Sequence, residues 1–321
     1  KFSQKINTSR SFTNLKTKFT IQSEIYNQLF YTEDKLLESN NFHSGSYYRI
    51  FPIIGLKAQT PFKIKDSKFD FTYTPFTQLV VTPGISNTNK ISNEDSSNNS
   101  FSLQNITSLN RFSGSDKVDN SKRISYGLNS SNDFFNFNLS QSYEFTNNSN
   151  FHYGQGNNNK LSDLLGSAEY RKSNEKYKEY NKIEYGFRYD TNESYLKSQN
   201  IDIKTPTLAG ILGLSYMDTK SKTNNIIKQD TETLNYKFNS WKFLKFNKIN
   251  LSGLYDLQKE INTEYKINYS YFDECFGVNL DFNRKSYEED DLKPQDKLTI
   301  MFSFKHIGSY KSTNLAVSET D

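Results

Sequence analysis

The sequence predicts an all-β chain of antiparallel strands that form a transmembrane β-barrel. Three observations lead there. Apolar and polar residues alternate with period two through most of the chain. Aromatics supply 15% of the residues, with 22 Tyr and 26 Phe against one Trp, although total apolar content is only 34%. Many alternating segments approach the ~9–11 residues that a tilted strand needs to cross a hydrocarbon layer, whereas soluble strands centre near ~5–6. A disordered chain would be as polar but poor in aromatics.

The clearest strand is 135–145, "FNFNLSQSYEF", where odd positions are apolar except Gln141 and every even position is polar. In 177–189, Tyr177, Ile183, Tyr185, Phe187 and Tyr189 alternate with Lys178, Lys182, Glu184 and Arg188. The same pattern marks 263–271, 276–282 and 298–304. Strict alternation over such lengths indicates strands with one apolar face. Further strands are expected near 17–26, 47–59, 68–82, 122–130, 162–172, 195–204, 208–217, 230–240 and 245–256, about 14 in all. Short turns such as 190–194 and 272–274 interchange with longer polar loops at 84–121, 146–161, 218–229 and 284–296, as in a barrel with tight turns at one end. A soluble β-sandwich would give the same alternation with inside and outside exchanged. Strand length and aromatic richness favour the barrel, because Tyr and Phe near strand ends suit interfacial girdles.

No apolar run approaches the ~18 residues of a transmembrane helix. The mean hydropathy of −0.80 does not argue against a barrel, which shows lipid only every second residue. The first residues, "KFSQKINTSR", carry neither an initiator Met nor an apolar signal core. The expectation is a soluble protein or a mature or truncated piece of a larger one. Forty basic and 36 acidic residues are interspersed, a balance that gives no nucleic-acid face.

Enzyme chemistry has little to stand on. His43, His152 and His306 are far apart and in no ligand spacing, and there is no HExxH or GxSxG motif, so neither a metal site nor a cofactor is expected. "GQG" at 154–156 is a lone Gly-x-Gly, and the acidic run 287–294 reads as a solvated loop. The loop 84–121 is the unusual segment. It exceeds the ~12–15 residues beyond which loops are usually functional or disordered, and it carries Arg111 and Phe112 among turn formers.

Those residues belong to an ordered set of motifs: "RIFPIIGLKAQTPF" (49–62), "TPFTQLVVTP" (74–83), "SNEDS" (92–96) and "NRFSGSDKVDNSKRISYGL" (110–128). With the ending "YFDECFGVNLDFNRKSYEEDDLKPQDKLTIMFSFKHIG" (271–308), they resemble the C-terminal barrel of the LPS-assembly protein family LptD, also called organic solvent tolerance protein. Thr74 stands where the family usually has Glu, Ser92 where it often has Pro and Lys117 where it has Arg. The resemblance implies residues 1–308 as the C-terminal part of a larger barrel, with 309–321 as a polar tail.

The resemblance also implies a role: a Gram-negative outer-membrane component, not an enzyme, that passes lipopolysaccharide through the lumen and a lateral seam. Leu298, Ile300, Phe302 and Phe304 would lie on the seam strand. Asn93, Glu94, Asp95, Ser96, Asn110, Arg111, Phe112, Ser113, Gly114 and Asp116 would form a lumen or lid loop. There Arg111 is expected to pair with Glu94 or Asp95 or to touch cargo phosphates. The preferred reading is structural, a lid held by Phe112 packing and Asn/Asp turn bonds. Cys275 would join a Cys outside this chain. Implied partners are lipopolysaccharide, the lipoprotein LptE and the periplasmic LPS-transport bridge. The competing readings are a stand-alone channel of about 14 strands for small or hydrophobic solutes, and a barrel phospholipase.

Overall fold

The computed structural model describes residues 1–37, 41–65, 70–84, 87–96, 101–146, 160–223, 226–286, 295–305, 307–311 and 315–317. These contain 18 strands and no helix. The chain forms two compact units, residues 1–168 with 187–197, and residues 169–186 with 198–321.

The first unit begins with β1 (Phe2–Asn14), β2 (Thr17–Leu36), β3 (Phe42–Gln59), β4 (Phe62–Lys65), β5 (Asp70–Val81), β6 (Lys122–Ser131) and β7 (Phe135–Glu144). Each pairing is antiparallel. Because side chains alternate faces, register sorts them cleanly. Ile21, Ile25 and Leu29 on β2, Ile50, Ile54 and Leu56 on β3, and Leu79 and Val81 on β5 are exposed. The other face is buried and largely polar: Gln28, Arg49, Gln78, Arg123, Ser125, Ser142 and Glu144 accompany Tyr26, Phe51, Ile53 and Val80. An apolar face open to the surroundings and a covered polar face invert the soluble pattern.

What covers the polar face is the segment between β5 and β6. Its Leu109 and Val118 pack with Tyr26, Phe51, Ile53 and Val80 in one cluster. A fully buried side chain of this size contributes ~1.5–3 kcal/mol, so the cluster holds the loop down. Gly55 makes room for it, because a Cβ there would run into the Leu109 side chain.

The second unit holds β11 (Gly210–Thr223), β12 (Ile226–Ser240), β13 (Asn247–Asp256), β14 (Ile261–Phe272), β15 (Phe276–Lys285), β16 (Gln295–Phe304), β17 (Gly308–Lys311) and β18 (Leu315–Val317). The strands β8 (Leu164–Asn174), β9 (Glu179–Asp190) and β10 (Tyr195–Pro206) each contribute residues to both units. Cross-strand rows again separate the faces. Leu212, Phe238, Leu251, Ile267, Phe282 and Leu298 stand opposite one another in turn. At the strand ends Tyr177 stacks on Trp241 at 5.8 Å, and the indole N–H donates to the Thr207 carbonyl at 2.8 Å. Such pairs satisfy a polar tip beside an apolar ring.

All 14 sequence-expected strands exist, and the structure adds β1, β4, β17 and β18. The expected loop 218–229 is mostly strand, since β11 runs to Thr223 and β12 starts at Ile226. Residues 190–194 and 272–274 are tight connections. His152, His306, the "GQG" at 154–156 and the acidic run 287–294 lie outside the described residues.

Candidate functional site: the loop between β5 and β6

The two motifs "NEDS" and "NRFSGSD" are the two halves of one clamp. The Asp95 carboxylate accepts the backbone N–H of Ser115 at 2.9 Å and of Asp116 at 2.8 Å, and the Ser115 hydroxyl at 2.8 Å. Asp116 returns the arrangement by accepting the N–H of Glu94 at 2.8 Å and of Asp95 at 3.0 Å. Ser96 Oγ accepts the N–H of Asp116 and Lys117, and Asn93 Oδ1 accepts the N–H of Ser96. Burial pushes the Asp95 carboxyl up, but its bonds from Lys1, Ser115 and Asp116 outweigh that and hold it well below the usual carboxylate range. Gly114 is required where the arms meet. Its φ is +75°, and a Cβ would strike the Asp95 carbonyl.

Asparagines replace missing strand partners. Asn87 bonds both the N–H and the C=O of Val118, at 2.9 and 2.8 Å. Asn110 accepts the N–H of Phe112 and Asp119 and donates to Tyr26 Oη at 3.4 Å. Arg49 on β3 reaches up from the sheet. Its guanidinium donates to Gln28 Oε1 and, at 2.9 Å each, to the carbonyls of Ser115 and Asp116, while it lies 5.2 Å above the Phe30 ring.

Deeper down is a buried charge quartet. Arg111 meets Asp119 at 2.5 Å and Glu144 at 3.0 Å, and Arg123 meets Asp119 at 3.2 Å. Each of the four residues is 0–2% exposed, and two cations balance two carboxylates. Arg111 also bonds Ser121, whose hydroxyl donates to Glu144. Burial pushes the Arg111 guanidinium down, but Asp119 and Glu144 outweigh that and raise it.

This corrects the expected pairing of Arg111. Its ion-pair partners are Asp119 and Glu144, because the side chain points into the sheet face rather than towards the clamp. Its burial also closes it to cargo phosphates. Phe112 is 5% exposed, with the Lys117 ammonium 5.8 Å from its ring. Asn93, Glu94, Asp95 and Gly114 are exposed, and Ser113 is half-buried.

Elsewhere, Cys275 is an exposed free thiol in the connection between β14 and β15. Asp273 shapes that turn by accepting the N–H of Cys275 at 2.8 Å and of Phe276 at 2.7 Å, which lowers its pKa. Leu298, Ile300, Phe302 and Phe304 occupy β16 opposite Phe282, Leu280, Val278 and Phe276. The other edge of β16 carries β17, with Ser303 opposite Ser309, and β18, with Leu298 opposite Leu315. Within 309–321, residues 309–311 and 315–317 supply these strand partners. Among the described residues no cluster of His, Cys, Asp and Glu could hold a metal ion.

A family model, "LptD: LPS transport system D", matches residues 2–261. The matched segment includes both halves of the clamp and the whole charge quartet. No curated protein matches the chain. Among solved structures, a double mutant of the Rh. blastica porin covers 96% of this chain and 94% of its own at 9% identity, with a TM-score of 0.35.

Proposed function

This chain belongs to the LptD family, and we propose that it carries lipopolysaccharide along its polar face and releases it through a lateral seam. The family transports LPS at the outer membrane and is built as an antiparallel outer-membrane β-barrel. That makes the chain a transport protein whose substrate is LPS. The finer reading rests on one observation, the division of each unit into an exposed apolar face and an opposite polar one. A lipid-exposed barrel needs that division, with its polar side towards the lumen. An amphiphile then has a polar route for its sugars and needs an opening in the wall for its acyl chains, since a closed ladder has no edge to yield.

In this reading residues 1–308 are the barrel portion and β16, with Leu298, Ile300, Phe302 and Phe304, borders the seam. The loop containing Asn93–Ser96 and Asn110–Asp116 is a lid fixed on the lumen side, and it narrows the passage without binding cargo. Cys275 pairs with a cysteine outside this chain. LptE and the periplasmic bridge are the proposed protein partners.

The experiment is photo-crosslinking in the full-length protein in cells, with probes at Asn268 on the polar face, at Phe304 and at Leu208 in an exposed turn. Lipopolysaccharide adducts at Asn268 and Phe304 but not at Leu208 are expected. Adducts at none of them, in properly inserted protein, favour the stand-alone channel.

A further inference from the structure

One in-register row crosses the polar face of the second unit: Lys204, Gly213, Lys237, Ser252, Lys266, Asn283 and Lys297 stand opposite one another strand by strand. Lysine recurs on every second strand, and the positions between are small or neutral. With strands ~4.8 Å apart, the lysine positions repeat about every 9.6 Å. A second row runs beside it, Asn239, Asn250, Asn268, Asp281 and Thr299.

Two hollows lie on the same rows. One, of about 590 Å³, is lined by Lys204, Gly213 and Lys237, and also by Asp202 and the Lys182–Glu184 ion pair. The other, of about 370 Å³, is lined by Ser252, Lys266, Asn283 and Lys297 together with Asn250 and Asn268.

Lys204 is held by Glu179 at 3.0 Å and Lys266 by Glu264 at 3.0 Å. Lys237 and Lys297 are exposed, and neither has an acidic partner among the described residues. Like charges aligned on one face repel one another, at a cost that ion pairing within the row would have removed. The row contains no carboxylate.

We infer that the lysine row is a track for an anionic saccharide, whose phosphates engage Lys237 and Lys297 while its hydroxyls meet the neighbouring row of Asn, Asp and Thr side chains. This rests on the proposed passage of lipopolysaccharide along the polar face and names the groups that would guide it. The buried Arg111 of the lid has no part in it.

The test uses the full-length protein in detergent, with phosphorylated core oligosaccharide released from lipopolysaccharide as the probe, before and after phosphatase treatment. The double variant Lys237→Gln/Lys297→Gln should bind the phosphorylated probe about fivefold more weakly than wild type, and the gap should shrink as salt rises. Lys259→Gln, in an exposed turn, should bind like wild type. After phosphatase, wild type and double variant should bind alike. Equal binding of the phosphorylated probe by wild type and double variant overturns the track, and leaves LPS transport intact if surface delivery persists. Track-dependent binding in a protein that delivers no lipopolysaccharide supports the track and overturns the passage reading.

Discussion

Arg111 in the loop and Glu144 on β7 are 33 positions apart and meet at 3.0 Å, with side chains 1% and 2% exposed. Truncating one member of such a pair strands a buried charge, at a cost of about 3–5 kcal/mol. Arg111→Ala should therefore free the loop. Brief proteolysis of the native protein should cut between 87 and 121 in the variant and spare wild type. Arg111→Met/Glu144→Met leaves Arg123 and Asp119 as a neutral pair and should cost less than Arg111→Ala alone. Thermal unfolding of the set measures the coupling.

Gly55 and Leu109 offer a second cycle. Gly55→Ala drives a methyl into the Leu109 side chain, a steric conflict worth about 1–3 kcal/mol. Leu109→Ala empties the same space, at about 2–5 kcal/mol. Because one change fills what the other vacates, the double variant should be less destabilised than the sum of the singles. Additive costs would mean that Leu109 does not sit over Gly55.

The clamp should open in acid. Asp95 is held below its ordinary pKa in the closed loop, so its contribution is present above the unfolded value of about 3.9 and is lost as pH falls towards the folded one. Hydrogen exchange at the Ser115 and Asp116 amides should be protected at neutral pH, relative to intrinsic rates. That protection should start to decline below about pH 4 and fall further as the pH drops towards the lower folded value. Asp95→Asn should show weak protection at both.

Alternation made most of the wall legible, because lipid on one face and a polar environment on the other write period two into strands such as β7 and β15. It failed where both faces are polar. β1 places Gln4, Thr8 and Arg10 on the same side as Phe2 and Ile6, and the far end of β11, from Asp218 to Thr223, carries polar residues on both sides. There the pairing persists but the period does not. Within the loop the motifs contained the residues that bond one another in the clamp but suggested the wrong partner for Arg111. "NEDS" suggested an ion pair for Arg111, whereas Asp95 takes backbone amides on Oδ1 and the Lys1 ammonium and Ser115 hydroxyl on Oδ2. Glu144 was visible as the last polar position of an alternating strand, after Ser140 and Ser142. Nothing local ties it to residue 111.

The strands after β16 can be tested by covalent capture. Ser303 and Ser309 face each other across β16 and β17, at the ~4.5–5.5 Å Cα spacing of antiparallel partners, which a disulfide can span. Ser303→Cys/Ser309→Cys should oxidise to an intrachain bond that peptide mapping separates from any Cys275 product. Should β16 border the seam, locking this hairpin should slow lipopolysaccharide delivery, and reductant should restore it.

The quartet also sets an order of events. Asp119 and Arg111 belong to the loop, Arg123 to β6 and Glu144 to β7, and Arg49 reaches the clamp from β3. The loop is made before β6 and β7 during synthesis, yet it has no complete seat until those strands have paired and brought Glu144 beside Arg123. The complete quartet therefore requires β6 and β7 to be paired in this register. A chain whose neighbouring strands paired out of register would leave Arg111 and Arg123 with Asp119 alone, one carboxylate short of balance, and the loop would stay open to proteases.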